Sequence, residues 1–464
     1  MPIPDIRFTT YYNLFKDSVP MTRMKKFQWL VVFILSVSKV SWSRDLFIEE
    51  HLKEKAQKNQ TKEQIKKPYR ESTQQSTPKT STISVGENGI VIRSADEAFK
   101  VRFGITLEMD GRFFLDHNTP NLEELRRARP IIEGILFRYF NFRLAPDVGQ
   151  NRKIFADGYL GFNYWPQFRI QAGKFRPPLG LEMQQPASET LFIERGLPSD
   201  LVYNRNIGAQ FYGDALENRL EYHLGLFRGA RDNTPVTDLE EADGIDFIAR
   251  VFSHPFINHS TNWLKGLGVG IAGSYGDIRG ALSSLRIPSQ GVGGINFFTY
   301  NKGVISAGER YIITPQLYYT WKSFRLLGDY IYSSREVQSK NNLGTIGYRA
   351  WQLAASYVLT GEKTVYLKRV RPRQSINPAQ GAWGAFEIKA RYDELYIDRG
   401  AFPVFANPIK SAHSAKSWTV GINWYLTPNI ETELEYQQGY FKGGAITGDM
   451  PSERLIMARL QFAF

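Results

Sequence analysis

Charged side chains fall at every second position in FKVRFGITLEMDGRFF, where Lys100, Arg102, Glu108, Asp110 and Arg112 alternate with Phe99, Val101, Phe103, Ile105, Leu107 and Met109. Guanidinium and ammonium groups repeated along one face can replace the water that a small anion sheds in a narrow passage, and they lower the Coulomb barrier it meets. The same register places Arg127, Arg129, Arg143, Arg169, Arg250, Arg325, Lys389 and Arg391 on the charged face. Carboxylates share that face: Glu133, Glu221, Asp246, Asp329, Glu387, Asp393, Glu431, Glu433 and Glu435. These groups either serve transport or pair across strands and stiffen a wall, and for any single residue pairing is the plainer reading.

Other chemistries find less to work with. A nucleophile needs an adjacent base, and of six histidines only His223 lies mid-strand on the charged face; His51 sits in a leader and His117, His254, His259 and His413 at strand ends or in loops. The chain has no cysteine, so it has neither a disulfide framework nor a thiolate metal site. The glycine-rich GLGVGIAG (266–273) is followed by no helix and so does not read as a phosphate loop. These observations point away from an enzyme and from any cofactor or metal. The net charge of +12 comes from basic residues interleaved with acidic ones rather than clustered in runs, which argues against a nucleic-acid partner.

The elements that must position the charged face are strands. Phe168, Ile170 and Ala172 share one side of QFRIQA, Phe386, Ile388, Ala390 and Tyr392 one side of FEIKARY, and Ile456, Ala458, Leu460, Phe462 and Phe464 one side of LIMARLQFAF. Strands in soluble domains run to about 5–6 residues, whereas a tilted strand needs about 9–11 to cross a bilayer. The patterns here persist that long or longer, so lipid is the better partner for the apolar side. Because an open sheet edge in hydrocarbon would leave amides unsatisfied, the sheet must close. The expected fold is all-β: a transmembrane antiparallel β-barrel of about sixteen strands with an aqueous lumen. Strands are expected at 99–114, 125–133, 139–147, 153–165, 167–175, 206–213, 219–229, 243–254, 263–275, 310–322, 323–335, 346–360, 383–397, 415–427, 429–441 and 453–464. Trp165, Trp321, Tyr332, Trp351, Trp418, Trp424 and Tyr425 are expected to form aromatic girdles. Short links at 166, 322–323 and 427–429 read as periplasmic turns, and long ones at 176–205, 276–309 and 361–382 as outer loops.

Ahead of the barrel, residues 1–43 hold Arg23, Lys25 and Lys26, then an apolar run from Phe27, then Ser41 and Ser43, the order of a cleaved secretory signal. Translation starting at Met21 or Met24 would fit that order better. Residues 44–98 read as a polar, flexible periplasmic leader, and 99–464 as the barrel domain.

Several stretches resemble the phosphate-selective porin O and P family: LRRARPIIEG (125–134), FADGYLGFNY (155–164), RIQAGKFRPPLGLE (169–182), FIERGLPSDLVYNRNIGAQFYGD (192–214), YVLTGE (357–362) and GAWGAFEIKARYDEL (381–395). The C-terminal Phe464 is similar to the sorting signal of outer-membrane barrels. The resemblance implies a homotrimeric bacterial outer-membrane channel in contact with outer-membrane lipid, its pore narrowed by an inward-folded loop, here Arg176 to about Asn204. It implies passive diffusion of small anions, with phosphate or polyphosphate favoured. Carried over by motif, Arg126, Arg127, Arg129, Lys174, Arg176 and Arg205 supply cations near that constriction, and Asp157 matches the family's acidic position. Arg195, next to Glu194, is expected either to pair with that carboxylate and brace the loop or to join the site. The loop has no basic residue between Glu182 and Glu194, where phosphate-specific members place lysine; this favours general anion preference over a strict phosphate filter. The alternatives are a weakly selective or sugar porin and a structural or adhesive barrel.

Overall fold

The computed structural model describes residues 80–116, 120–151, 154–228, 243–260, 263–287 and 294–464. The expected signal segment and the leader as far as residue 79 lie outside the described residues. The chain opens with a hairpin, β1 (Thr82–Gly86) and β2 (Gly89–Arg93), within the stretch read as leader. Then follow β3 (Lys100–Phe114), β4 (Leu122–Leu136), β5 (Phe140–Asp147), β6 (Ile154–Trp165), β7 (Phe168–Phe175), β8 (Asn206–Ala215), β9 (Leu220–Arg228) and β10 (Asp243–Ser253). The remainder comprises β11 (Leu267–Ala281), β12 (Leu285–Ile287), β13 (Ile295–Phe298), β14 (Val304–Trp321), β15 (Phe324–Ser339) and β16 (Asn342–Val358). Last come β17 (Ala385–Ile397), β18 (Ala412–Tyr425), β19 (Ile430–Ala445), β20 (Gly448–Asp449) and β21 (Glu453–Ala463).

Sixteen of these strands form one closed antiparallel ring, each pairing with the next in sequence and β21 returning to β3. Strands β1, β2, β12, β13 and β20 stand outside the ring. Alternation works as the composition demands. On β3, Phe103, Met109 and Phe113 are exposed at 38%, 51% and 38%, while Glu108, Asp110 and Arg112 are buried at 0–4%. Each of the sixteen expected strands is present. Several run further toward the long-loop rim than the apolar alternation does, as in β15, where Ser333, Ser334, Arg335 and Glu336 extend the ladder beyond the lipid-facing stretch.

Two expectations are corrected. Antiparallel alternation puts the link 359–384 on the same rim as the turns 166–167, 322–323 and 426–429, so it is not an outer loop. Tyr425 is 1% exposed and donates its hydroxyl to Glu387 Oε2 at 2.6 Å, so it faces inward and belongs to no girdle. Trp165, Trp321 and Trp351 are exposed at 53%, 43% and 39%, as a girdle requires.

The hairpin completes the wall at its seam. β21 pairs with β3 from Phe114 to Thr106, and β2 takes over the same edge of β3 from Phe103 to Lys100. Gly89 sits at this junction with φ +80°, where a Cβ would stand 2.2 Å from the Phe103 carbonyl and 2.6 Å from the Phe464 ring. Only glycine meets both conditions at low cost.

Two long links pack inside. Segment 176–205, between β7 and β8, bonds to inward-facing side chains of distant strands: Leu191 O accepts from Lys389 Nζ at 2.8 Å and Asn423 Nδ2 at 3.0 Å, and Ile193 N donates to Glu435 at 2.7 Å. Residues 282–287 and 294–303, carrying β12 and β13, bury Leu285, Ile287, Phe297 and Phe298 against Leu197 and Leu201 of the first segment, and against Phe405 and Phe441.

Candidate functional site

The cationic side of the lumen begins with a defect in a strand. Glu108 pairs with Arg127 and Met109 with Leu125, so Arg126 is the extra residue of a β-bulge. A bulge re-aims a side chain that strict alternation would send to the other face. Arg126 and Arg127 therefore both point inward: Arg126 Nε donates to Glu194 Oε1 at 3.0 Å, and Arg127 to Glu108. Glu194 also accepts from Arg112, and Arg459 on β21 forks onto Asp110 with two bonds of 2.7 Å.

From there the charges descend along β4, β5 and β6. Arg129 donates to Asp147 at 2.6 Å. Arg205, just before β8, donates to Asp157 at 2.8 Å, and Arg143 approaches the same carboxylate at 3.4 Å. Arg143 and Arg102 share Glu133, the latter at 2.7 Å. Guanidiniums and carboxylates thus alternate from the short-turn rim to the 176–205 segment. Arg176 donates to the Gln185 carbonyl, a neutral acceptor. Burial, Arg205 and Arg195 together push its pKa well below the usual arginine range, which marks a locality dense in positive charge.

Of the residues expected at the site, Arg126, Arg127, Arg129, Asp157, Arg176 and Arg205 all lie inside the barrel. Lys174, on β7, is buried as well. Arg169, Gln171, Gly173 and Phe175 alternate on the inner face of β7, with Phe175 packed on Tyr159 and Phe227. Lys174 has the opposite parity, in register with Gly158 and the exposed Ile207, yet it is itself only 8% exposed and follows Gly173, whose φ of +133° interrupts the regular alternation. Arg195 does not pair with Glu194, whose oxygens are taken by Arg112 and Arg126. It braces the segment through carbonyls instead, donating to Gln185 at 2.9 Å and Glu182 at 3.4 Å. Burial would raise the Glu194 carboxyl; Arg126, Arg112, Arg127 and Arg459 outweigh it and hold the pKa far below the carboxylate range.

The opposite wall is also charged but closed. Lys389 is bound by Glu433 at 2.7 Å and by Glu435, Arg391 donates to Glu194 O at 2.9 Å, and Arg325 meets Glu387 at 2.6 Å. Their side chains are exposed by 3% at most, whereas those of Arg102, Arg143 and Arg169 are exposed by 22–24%. Solvent therefore reaches cations chiefly on the β3–β7 side. Sequence reasoning missed Arg459, although it alternates with Ala458 and Leu460 and was legible by parity. It also missed Arg369 in segment 359–384, which no periodic pattern marks.

A ring of sixteen strands, apolar outside and charged within, defines a β-barrel channel of the outer membrane. The chain belongs to the phosphate-selective porin O and P family, whose model matches residues 99–242 and 294–464. It is 24% identical over 416 residues to Porin O of Pseudomonas aeruginosa, covering 82% of this chain and 91% of that protein. The outer membrane channel DcaP of Acinetobacter baumannii shares the fold at TM-score 0.52 and 8% identity, over 80% of this chain and 99% of that one. OmpT of Vibrio cholerae, folded in vitro, aligns at TM-score 0.48 and 12% identity over 79% and 98% of the two chains.

Proposed function

We propose that the protein is a homotrimeric, non-enzymatic porin passing small anions by passive diffusion, with phosphate or polyphosphate the favoured solutes and segment 176–205 forming its constriction. The observation that carries this reading is the placement of solvent-reached cations. Arg102, Arg143 and Arg169 line the open side, and Arg126, Arg127, Arg129, Arg176 and Arg205 follow at the inner segment, with Arg176 held by a carbonyl rather than a carboxylate. Partly dehydrated oxyanions can exchange water for guanidinium forks at several modest sites, which is what flux requires. His223 supports the absence of catalysis, because its ring nitrogens face Glu221 at 2.7 Å and Gln210 at 3.4 Å rather than a hydroxyl nucleophile. Membership of the porin O and P family favours phosphate and a trimer.

The weakly selective reading draws support from one fact: most lumen cations already share a carboxylate. Reversal potentials in planar bilayers under a salt gradient separate the two. Anion preference predicts a potential set by chloride, reduced in Arg176→Gln/Arg205→Gln, and chloride current blocked by added phosphate. Equal permeation of both ions in the unaltered protein would leave only the general channel.

A further inference from the structure

The segments 176–205 and 359–384 enter the barrel from opposite rims, and a hydrogen bond joins them at Arg369. Arg369 Nη2 donates to the carbonyls of Pro428 at 2.6 Å and Ala463 at 3.1 Å. Pro428 lies in the turn before β19 and Ala463 ends β21, so this guanidinium grips the β19–β21 pair at its short-turn end. The backbone N–H of Arg369 donates to Glu189 Oε2 of segment 176–205 at 2.7 Å.

The rest of the stretch is tied to the far wall. Thr364 Oγ1 donates to the Phe324 carbonyl at 2.9 Å, the Val365 carbonyl accepts from Tyr318 at 3.3 Å, and the Lys368 carbonyl accepts from Arg325 at 2.8 Å. Tyr366 accepts from Arg250 at 3.2 Å and packs on Phe252 and Tyr318, and with Leu367 it lies against the apolar cluster that also holds Leu181, Leu191 and Phe192. Residues 364–370 thus form a chord inside the ring, from β14 and β15 to β19 and β21, directly under segment 176–205.

We infer that Arg369 is a positioning residue for permeation, which fastens this chord to the seam and through its own N–H holds Glu189, so that the two inner segments shape one aperture as a unit. A backbone amide has no reach of its own. Where Glu189 is held therefore depends on where the Arg369 side chain anchors the chain. The neighbouring bond from Gln461 to the Ser188 carbonyl, 3.2 Å, ties the same turn to β21 and leaves the carboxylate of Glu189 to the chord. The inference rests on the narrowing role proposed for segment 176–205.

The test is single-channel recording in potassium chloride on the full protein and on Arg369→Ala, Arg369→Lys, Glu189→Ala and the Arg369→Ala/Glu189→Ala double variant. Arg369→Ala and Glu189→Ala, which removes the acceptor altogether, should each raise conductance by about a factor of two and broaden open-level noise, as expected when one side of a pore loses its support. Residues acting through one joint are non-additive, so the double variant should match the singles. Lysine at 369, able to donate to the same carbonyls, should restore a quiet level. Unchanged conductance and noise in Glu189→Ala, or effects that multiply in the double variant, would overturn the inference. Glu189→Ala leaves the seam intact and carries the test should Arg369→Ala fail to assemble. A variant lacking residues 186–190 separates the two readings. If it conducts no better than the unaltered protein, the narrowing role fails; if it conducts better while Glu189→Ala does not, only the joint fails.

Discussion

Glu194 ties segment 176–205 to the cationic wall, accepting from Arg112 and Arg126 while nearly buried. Glu194→Gln should leave these guanidiniums short of a counter-charge, lowering stability by about 1–3 kcal/mol, read as an earlier thermal transition in detergent. It should also shift the reversal potential toward chloride, since one negative charge is lost beside the pathway. The pKa of Glu194 is depressed, so its stabilisation is complete above the unfolded-state value of about 4.3 and is lost only as pH falls through the lower folded-state value. Conductance stepped from neutral pH to about 4 should show no loss attributable to this residue. At this scale the sequence was readable where parity held, as for Arg102, Arg143 and Arg169. Parity could not place Arg126, which only the family motif brought to the site, because a bulge depends on what the partner strand does. Tyr425 misled for a related reason: an aromatic at a strand end looks the same whether it faces lipid or, as here, reaches an inward carboxylate.

Among the elements, β7 and the β1–β2 hairpin yield the clearest tests. Lys174 and Arg176 are two residues apart in sequence; Lys174 is buried although it stands in register with the exposed Ile207, and Arg176 bonds within the inner segment. Arg176→Gln should lower the anion-to-cation permeability ratio, measured from reversal potentials. Gly89→Val should hinder closure of the seam, because φ +80° is strained for a β-branched residue and its Cβ would collide with Phe103 and Phe464. The expected outcome is a smaller fraction of heat-modifiable, folded barrel on a denaturing gel. The sixteen ring strands were legible, since lipid on one side and water on the other impose strict alternation, whereas β1, β2, β12, β13 and β20 stand outside the ring and carry no such pattern. The polar extensions of β15 and β16 were not, because above the lipid no solvent contrast separates the faces. The place of 359–384 was hidden too, since length alone had assigned it to the outer rim and only the strand count reverses that.

As a whole molecule, the ring needs nothing before the hairpin to close: β3 receives β21 and β2 along one edge. A chain beginning at Lys79 should refold in detergent and conduct as the longer form does, measured side by side in bilayers. The wall is also uneven. β5, β7 and β9 have 8, 8 and 9 residues, whereas β14, β15 and β16 have 18, 16 and 17. About 9–11 residues suffice to cross, so the β15–β16 hairpin must stand clear of the lipid like a turret on one side of the rim. A cysteine placed at its tip, Lys340 or Asn341, would meet a membrane-impermeant thiol reagent on intact cells, while one at Lys322, at the foot of the same strand, would stay unlabelled until the envelope was broken.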